Sequence, residues 1–163
     1  MGADPDTSSK PPRALLSVYD KSDVVQLGTT LVESGFELLS TGGTARVLRQ
    51  AGLEVLDVSE VTGHPEIFDG RVKSLHPAIH GPLLARLEKE EDVEGLAELN
   101  YSPIQVVAVN LYAFSDAAAQ NPPLQDSDLL EMIDIGGPTL VRASAKNHRN
   151  VMILTSPSQY PSF

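Results

Sequence analysis

Phe36-Glu37-Leu38-Leu39-Ser40-Thr41-Gly42-Gly43-Thr44-Ala45 is the stretch that decides the fold. A short apolar run passes into a paired-glycine turn. A helical pattern then follows through Ala45, Val47, Leu48 and Ala51 and stops at Gly52. Strand, glycine turn and helix in that order form the repeating unit of a parallel α/β sheet. The same alternation lies on either side. Arg13 to Val18 suits a buried first strand, and Ser22 is placed to cap a helix reaching about Ser34. Val24, Val25, Leu27, Leu31 and Val32 form the apolar stripe of that helix, and Gly35 stops it. Leu53 to Leu56 reads as a third strand. Ile104 to Val109 has the continuous apolar character of a central parallel strand, and Val151 to Leu154 reads as the last. The expectation is an α/β, doubly wound, mostly parallel sheet with helices on both faces.

Between these elements the pattern is less regular. Val58 to Pro82 reads as extended loop with short helical pieces. Leu83 to Leu99 favours helix, and its acids Glu88, Glu90, Glu91, Asp92 and Glu94 read as a solvated face. Asp126 to Met132 is a short helix, and another follows Gly136-Gly137-Pro138. Met1 to Pro12 is small, polar and Pro-containing, and reads as a flexible tail ahead of one domain over residues 13–163.

Composition narrows the function classes. The 163 residues carry a formal charge of −10, which argues against a general nucleic-acid or membrane-surface binder. A locally positive site for a small anion remains open. No apolar run approaches a membrane span. With no cysteine there is no disulfide, no thiolate nucleophile and no Cys-ligated metal, as suits a cytoplasmic protein.

Three segments carry candidate chemistry. The Ser40-Thr41-Gly42-Gly43-Thr44 turn offers backbone N–H groups, hydroxyls and a helix N-terminus, a combination suited to phosphate. The other reading is a tight turn that needs glycine. Lys21 opens on the same edge of the sheet. Gly70-Arg71-Val72-Lys73-Ser74-Leu75-His76-Pro77 is wholly basic in an acidic chain, which fits an anion-holding loop or an ordinary surface one. In the stretch from Ile133 to His148, Arg142 and Lys146 share a helix face and call for a nearby anion, Asp134 or a ligand. They could equally be basic residues near a helix end. His76 and His80 have i,i+4 spacing, but Pro77 intervenes and no carboxylate completes a triad, so no metal is expected. Neither a P-loop nor a dinucleotide fingerprint is present.

Ser17 to Lys21, Ser40 to Thr44, Gly70 to Pro77, Asn110 to Phe114 and Ile133 to His148 together resemble one family in order and spacing. It is the inosine monophosphate (IMP) cyclohydrolase domain at the N-terminus of bifunctional PurH purine-biosynthesis proteins. The resemblance runs from about Arg13 to Tyr160. Its Gly-Thr loop is shared with methylglyoxal synthase, so a methylglyoxal synthase-like fold is implied. The implied reaction is dehydrative ring closure of 5-formamidoimidazole-4-carboxamide ribotide to IMP, without cofactor or metal. The implied partners are that anionic ribotide and IMP, and homodimerisation is usual in the family.

By resemblance Lys73 stabilises the formyl oxygen and Lys146 moves a proton. Asp134 partners Lys146 or acts as base at the carboxamide nitrogen, and Tyr112 holds the heterocycle. Lys21, Ser40, Thr41, Gly42, Gly43, Thr44, Arg71 and Ser74 form the phosphate and ribose subsite, with Asn110, Gly136 and Gly137 also lining the binding site. Two positions depart from the family pattern: Ala113 stands where Pro is usual, and Tyr19 where some members have Ser. The family's folate-dependent transformylase domain is expected to be absent. Two rivals use the same scaffold, methylglyoxal synthase and a non-catalytic purine-nucleotide or phosphate sensor. The synthase lacks the Arg71-to-Pro77 loop and the Lys146-Asn147-His148 segment, and a sensor has no need for Lys73, Asp134 and Lys146 together.

Overall fold

A computed structural model describes residues 10–162. Residues 1–9 of the expected tail, and Phe163, lie outside the described residues. The chain runs β1 (Arg13–Val18), α1 (Val24–Glu33), β2 (Glu37–Ser40), α2 (Gly42–Gln50), β3 (Val55–Asp57) and α3 (Val58–Thr62). A 3-10 turn (Phe68–Gly70), α4 (Pro77–Leu84), α5 (Glu90–Glu98), β4 (Ile104–Asn110) and α6 (Phe114–Ala118) follow. The chain closes with α7 (Asp126–Glu131), α8 (Gly136–Lys146), β5 (Met152–Leu154) and a 3-10 turn (Pro157–Ser162). Among the described residues no helix is long and apolar enough to cross a membrane.

The five strands form one sheet in the order β3-β2-β1-β4-β5, and every pairing is parallel. Side chains alternate across the strands, so the sheet divides the core in two. On one face Ala14, Leu16, Val106 and Ala108 pack with Val24, Leu27 and Leu31 of α1 and Leu48 of α2. On the other, Leu15, Leu39, Val107 and Val109 pack with Val58 of α3, Ile79 and Leu83 of α4, and Leu140 and Ala143 of α8. Leu15, Leu31, Leu39, Leu83 and Leu140 are at most 1% exposed, and burying each contributes about 1.5–3 kcal/mol. The sheet is therefore doubly wound, as the alternating pattern implied.

Some local expectations are corrected. Ser22 does not cap α1. Its N–H and Oγ both donate to Asp20 Oδ1, at 2.9 and 2.7 Å, and these bonds hold the Asp20 carboxyl below its usual pKa. Asp23 instead takes the N-cap position, with φ +57°. At the start of the chain, the Pro12 carbonyl accepts from Glu37 N at 3.0 Å, so ordered pairing reaches into the expected tail. The acidic helix begins at Glu90, because Leu83 and Leu84 belong to α4. The acids of the stretch are not all free: Asp92 takes two bonds from the Arg86 guanidinium at 2.8 Å, and Asn150 donates to Glu88, ahead of the helix, at 3.0 Å. The Arg86 bonds depress the Asp92 pKa far below the ordinary carboxylate value.

The end of α4 is closed from a distance. Asn147 is 7% exposed, and its Nδ2 donates to the carbonyls of Leu83 and Ala85 at 3.0 and 2.8 Å. Those carbonyls are among the last acceptors of a helix that has no further turn to satisfy them. Asn147→Ala is therefore expected to lower stability by about 2 kcal/mol or more, seen as a reduced urea midpoint at unchanged slope.

Candidate active site

Open α/β sheets bind ligands beyond the carboxyl ends of their strands, where the winding direction reverses. Here the reversal falls between β1 and β4, since β2 and β3 build out one way from β1 and β4 and β5 the other. A two-part cleft lies at that edge. Its smaller part, about 170 Å³, is bordered by Lys21, Thr41, Gly42, Gly43, Thr44 and Asn110. Its larger part, about 460 Å³, is bordered by Arg71, Ser74, Glu131, Ile133, Gly136 and Gly137, among others. Ser17, Thr41, Lys73, Tyr112 and Asp134 border both parts, so the two form one continuous recess.

The smaller part is shaped by the β2–α2 turn. Thr41 is extended (φ −139°, ψ 156°) and makes no side-chain capping bond, so the first-turn N–H groups of α2 are left to the recess. Lys21 closes the opposite side. Its Nζ donates to the Tyr19 carbonyl at 3.1 Å, and its Cε would lie 3.3 Å from a Cβ on Gly43. A cation facing open amides at a helix start is an arrangement that suits a phosphate.

Several expected ligand groups instead hold the frame. The Ser40 hydroxyl is fully buried and donates to the Leu16 carbonyl at 2.7 Å; Ser40 borders neither part of the cleft. Although Ser40 ends β2, its hydroxyl is spent on its register partner in β1 and is not offered to the recess. Thr44 Oγ1 donates to the Val18 carbonyl at 3.1 Å and accepts from Val18 N at 3.2 Å, pinning α2 to β1. Asn110 Oδ1 accepts from Tyr19 N at 2.6 Å and Asp20 N at 2.8 Å, while its Nδ2 donates to the Asp20 carbonyl at 2.9 Å. Asn110 thus ties the end of β4 to the loop that carries Lys21. His76 is the N-cap of α4, with Nδ1 accepting from Ala78 N at 3.1 Å. No group of histidines and carboxylates among the described residues is arranged to hold a metal.

The larger part is walled by the basic loop and the start of α8. Asp134 Oδ1 accepts from Gly137 N at 2.7 Å, so the carboxylate sits at the helix N-terminus, where its charge is favoured. A Cβ on Gly137 would overlap that carboxylate and would lie 2.6 Å from Leu111 Cδ2. Arg71 and Ser74 border this part and not the smaller one, which places them away from the expected phosphate end. Lys73 Nζ lies 3.3 Å from Glu66 Oε1, and Arg71 pairs with Glu131, 60 residues away. The Glu131 bond raises the Arg71 pKa above its ordinary value.

Lys146 is not in the cleft. It is exposed at the last turn of α8, while the first residues of that helix wall the site. Ten residues of helical rise, about 15 Å, separate Gly136 from Lys146. A helix that points its N-terminus at the site carries its C-terminus to the opposite edge of the sheet. Asp134 accordingly bonds to Gly137, and no ion pair joins it to Lys146 among the described residues.

Both departures from the family pattern fall here. The Tyr19 and Tyr112 rings meet in a T-shaped contact with centroids 5.3 Å apart, so Tyr19 adds an aromatic ring beside Tyr112 where some members have a Ser. Ala113 is the N-cap residue of α6, and Tyr112 stays in the wall of both parts of the cleft. Sequence reasoning missed Ser17, Glu66 and Glu131. Ser17 lies inside a motif already singled out, but no spacing rule pairs residue 71 with residue 131.

Comparison with known proteins agrees with this architecture. Residues 23–139 match the model of the MGS-like domain, and the chain belongs to that family. It is 51% identical over 148 residues to the bifunctional purine biosynthesis protein PurH of Aquifex aeolicus, and equally so to that of Bacillus cereus. Each alignment covers 91% of this chain but 29% of the relative, at its N-terminal part. A solved structure titled "Crystal structure of ForH" superimposes with a TM-score of 0.80 at 35% identity, covering 93% of this chain and 77% of that one.

Two glycines test the packing of the site against ordinary helix propensity. Gly137→Ala is expected to lower stability by about 1–3 kcal/mol through the clash with Asp134 and Leu111. In α5 a Cβ on Gly95 would meet nothing within 4 Å, so Gly95→Ala is expected to raise stability by about 0.5–1 kcal/mol. Thermal denaturation of the two variants beside the parent checks both signs.

Proposed function

We propose that this chain catalyses the IMP cyclohydrolase reaction, closing the second ring of a purine ribotide. The observation that carries the reading is the continuous cleft. A phosphate-type turn occupies one part, and Lys73, Tyr112 and Asp134 stand where the two parts meet. Identity with the N-terminal part of PurH supports it. The substrate is 5-formamidoimidazole-4-carboxamide ribotide and the product IMP.

In this reaction the carboxamide nitrogen attacks the formyl carbon of the same molecule and forms a C–N bond. The formyl C–O bond then breaks, and the oxygen leaves as water. One of that water's protons comes from the carboxamide nitrogen and the other from the formamido nitrogen. Two obstacles dominate: an amide nitrogen is a weak nucleophile, and negative charge builds on the formyl oxygen.

The residues meet these obstacles separately. Lys21 and the amides of Gly42, Gly43 and Thr44 hold the phosphate, fixing one end of the ribotide. Tyr112 positions the heterocycle so that the formyl and carboxamide groups face each other, which removes most of the orientational cost. The Lys73 ammonium stabilises the oxygen as it gains charge, and Asp134 accepts the carboxamide proton. Arg71 and Ser74 contact the ribose or heterocycle from the larger part of the cleft. No redox or group-transfer cofactor is needed, because the ring closure is internal. The same reading places the protein in the cytoplasm.

A spectrophotometric cyclisation assay with the formamido ribotide tests the proposal. Turnover is expected from the parent protein, and Lys73→Ala is expected to reduce it by ~10²-fold or more. Binding of IMP without any cyclisation would favour a sensor. Release of methylglyoxal from dihydroxyacetone phosphate would favour a synthase instead.

A further inference from the structure

Lysine is a poor choice for a fixed electrostatic group unless something holds it, because its four-carbon stem rotates freely. Lys73 has more room than most. It borders both parts of the cleft and also a separate cavity of about 180 Å³ behind the basic loop, lined by Val58, His64, Glu66, Val72 and His76 among others. Without a restraint, so mobile a stem would spread the ammonium over all of this space.

One group supplies the restraint. Glu66 Oε1 is 3.3 Å from Lys73 Nζ, and the Lys73 side chain is the more covered partner, 29% exposed against 49%. The pair lies in a gap left by Gly70. A Cβ there would come within 2.6 Å of Glu66 Oε1 and 3.0 Å of Lys73 Nζ. Gly70 has φ +84°, and Phe68 and Asp69 before it are also left-handed, at +52° and +53°. Such a backbone is costly for the two non-glycine residues and persists only where surrounding contacts enforce it. From this gap Nζ also lies 3.5 Å from where a Cβ on Gly42 would stand, so it rests between the basic loop and the phosphate-type turn. Of the other acids bordering the cleft, Glu131 pairs with Arg71, Asp134 accepts from Gly137, and Asp69 acts on Arg71 and forms no ion pair with Lys73 among the described residues.

We infer that Glu66 is a positioning residue for Lys73, holding the ammonium across Gly70 at the junction of the two parts of the cleft. The kinetic consequence rests on the cyclisation reading, whereas the positional claim does not. Glu66 touches no reacting atom, so it acts through Lys73.

The test has two arms. In the first, each lysine is labelled with an amine-reactive ester in trace amounts and quantified by peptide mass spectrometry. Lys73 labelling is expected to rise ~2–5-fold in Glu66→Gln, with Lys21 and Lys89 unchanged. An unchanged Lys73 overturns the inference whatever reaction the protein performs. In the second arm, Glu66→Gln is expected to lower kcat for cyclisation by ~10-fold, with KM for the ribotide within ~3-fold. Glu66→Asp, which keeps the charge, should fall between. Combining Glu66→Gln with Lys73→Ala should be no slower than Lys73→Ala alone. Additive losses would overturn it, as would a kcat that rises, since Glu66 would then be holding Lys73 away from the substrate. If the parent protein does not cyclise the ribotide, the functional proposal fails and the labelling arm still decides the role of Glu66.

Discussion

Everything at the site depends on β1 being paired on both sides. Leu15 and Leu16 are in register with Leu39 and Ser40 of β2 and with Val107 and Ala108 of β4. This double pairing puts the loops after three strands side by side at one edge. It also makes that edge the place where the sheet's winding reverses. Side chains then lock the loops to one another: Asn110 holds the Tyr19–Asp20 backbone from β4, and Thr44 holds Val18 from α2. The recess is rigid on this side because its walls are bonded to the sheet and to each other.

The opposite wall is held by charge. An acidic protein carrying a locally basic loop must place counter-charges near it, and here each loop cation has its own carboxylate. Both pairs are partly exposed, so each is worth little to stability. Their value is geometric: Glu131 reaches across from α7 to Arg71, and Glu66 reaches Lys73 from within the loop. The backbone bonds of this loop are all local turns, such as Gly70 N to the Ile67 carbonyl and Arg71 N to that of Phe68, and these side-chain contacts add restraint on its cations.

The Lys146-Asn147-His148 segment illustrates how a specific motif divides between roles. Its most constrained member in space is Asn147, which closes the end of α4 from inside the core. Lys146 lies at the exposed end of α8, remote from the cleft that the start of the same helix helps to form. Read along the chain, the segment looks like one functional unit. In the fold, its buried polar residue is structural and its cation faces solvent.

Most of the framework was legible in the sequence because it rests on local rules. Apolar runs flanked by glycine turns and amphipathic stripes marked all five strands and helices α1 and α2, and the glycines of Thr41–Thr44 marked the turn into α2; α4, which packs on the sheet, lies in a stretch that reads as loop with short helical pieces. The sequence by itself therefore determined the fold class, the sheet's strands and the residue types available at the edge. Only the tertiary structure decided which of those residues face the cleft. It turned Ser40 inward, bound Asn110 to the loop after β1, moved Lys146 to the far edge and paired Arg71 with Glu131. The reason is physical: periodicity reports which side of an element is apolar. Which polar groups meet depends on the direction of each helix across the sheet and on distances between segments far apart in the chain.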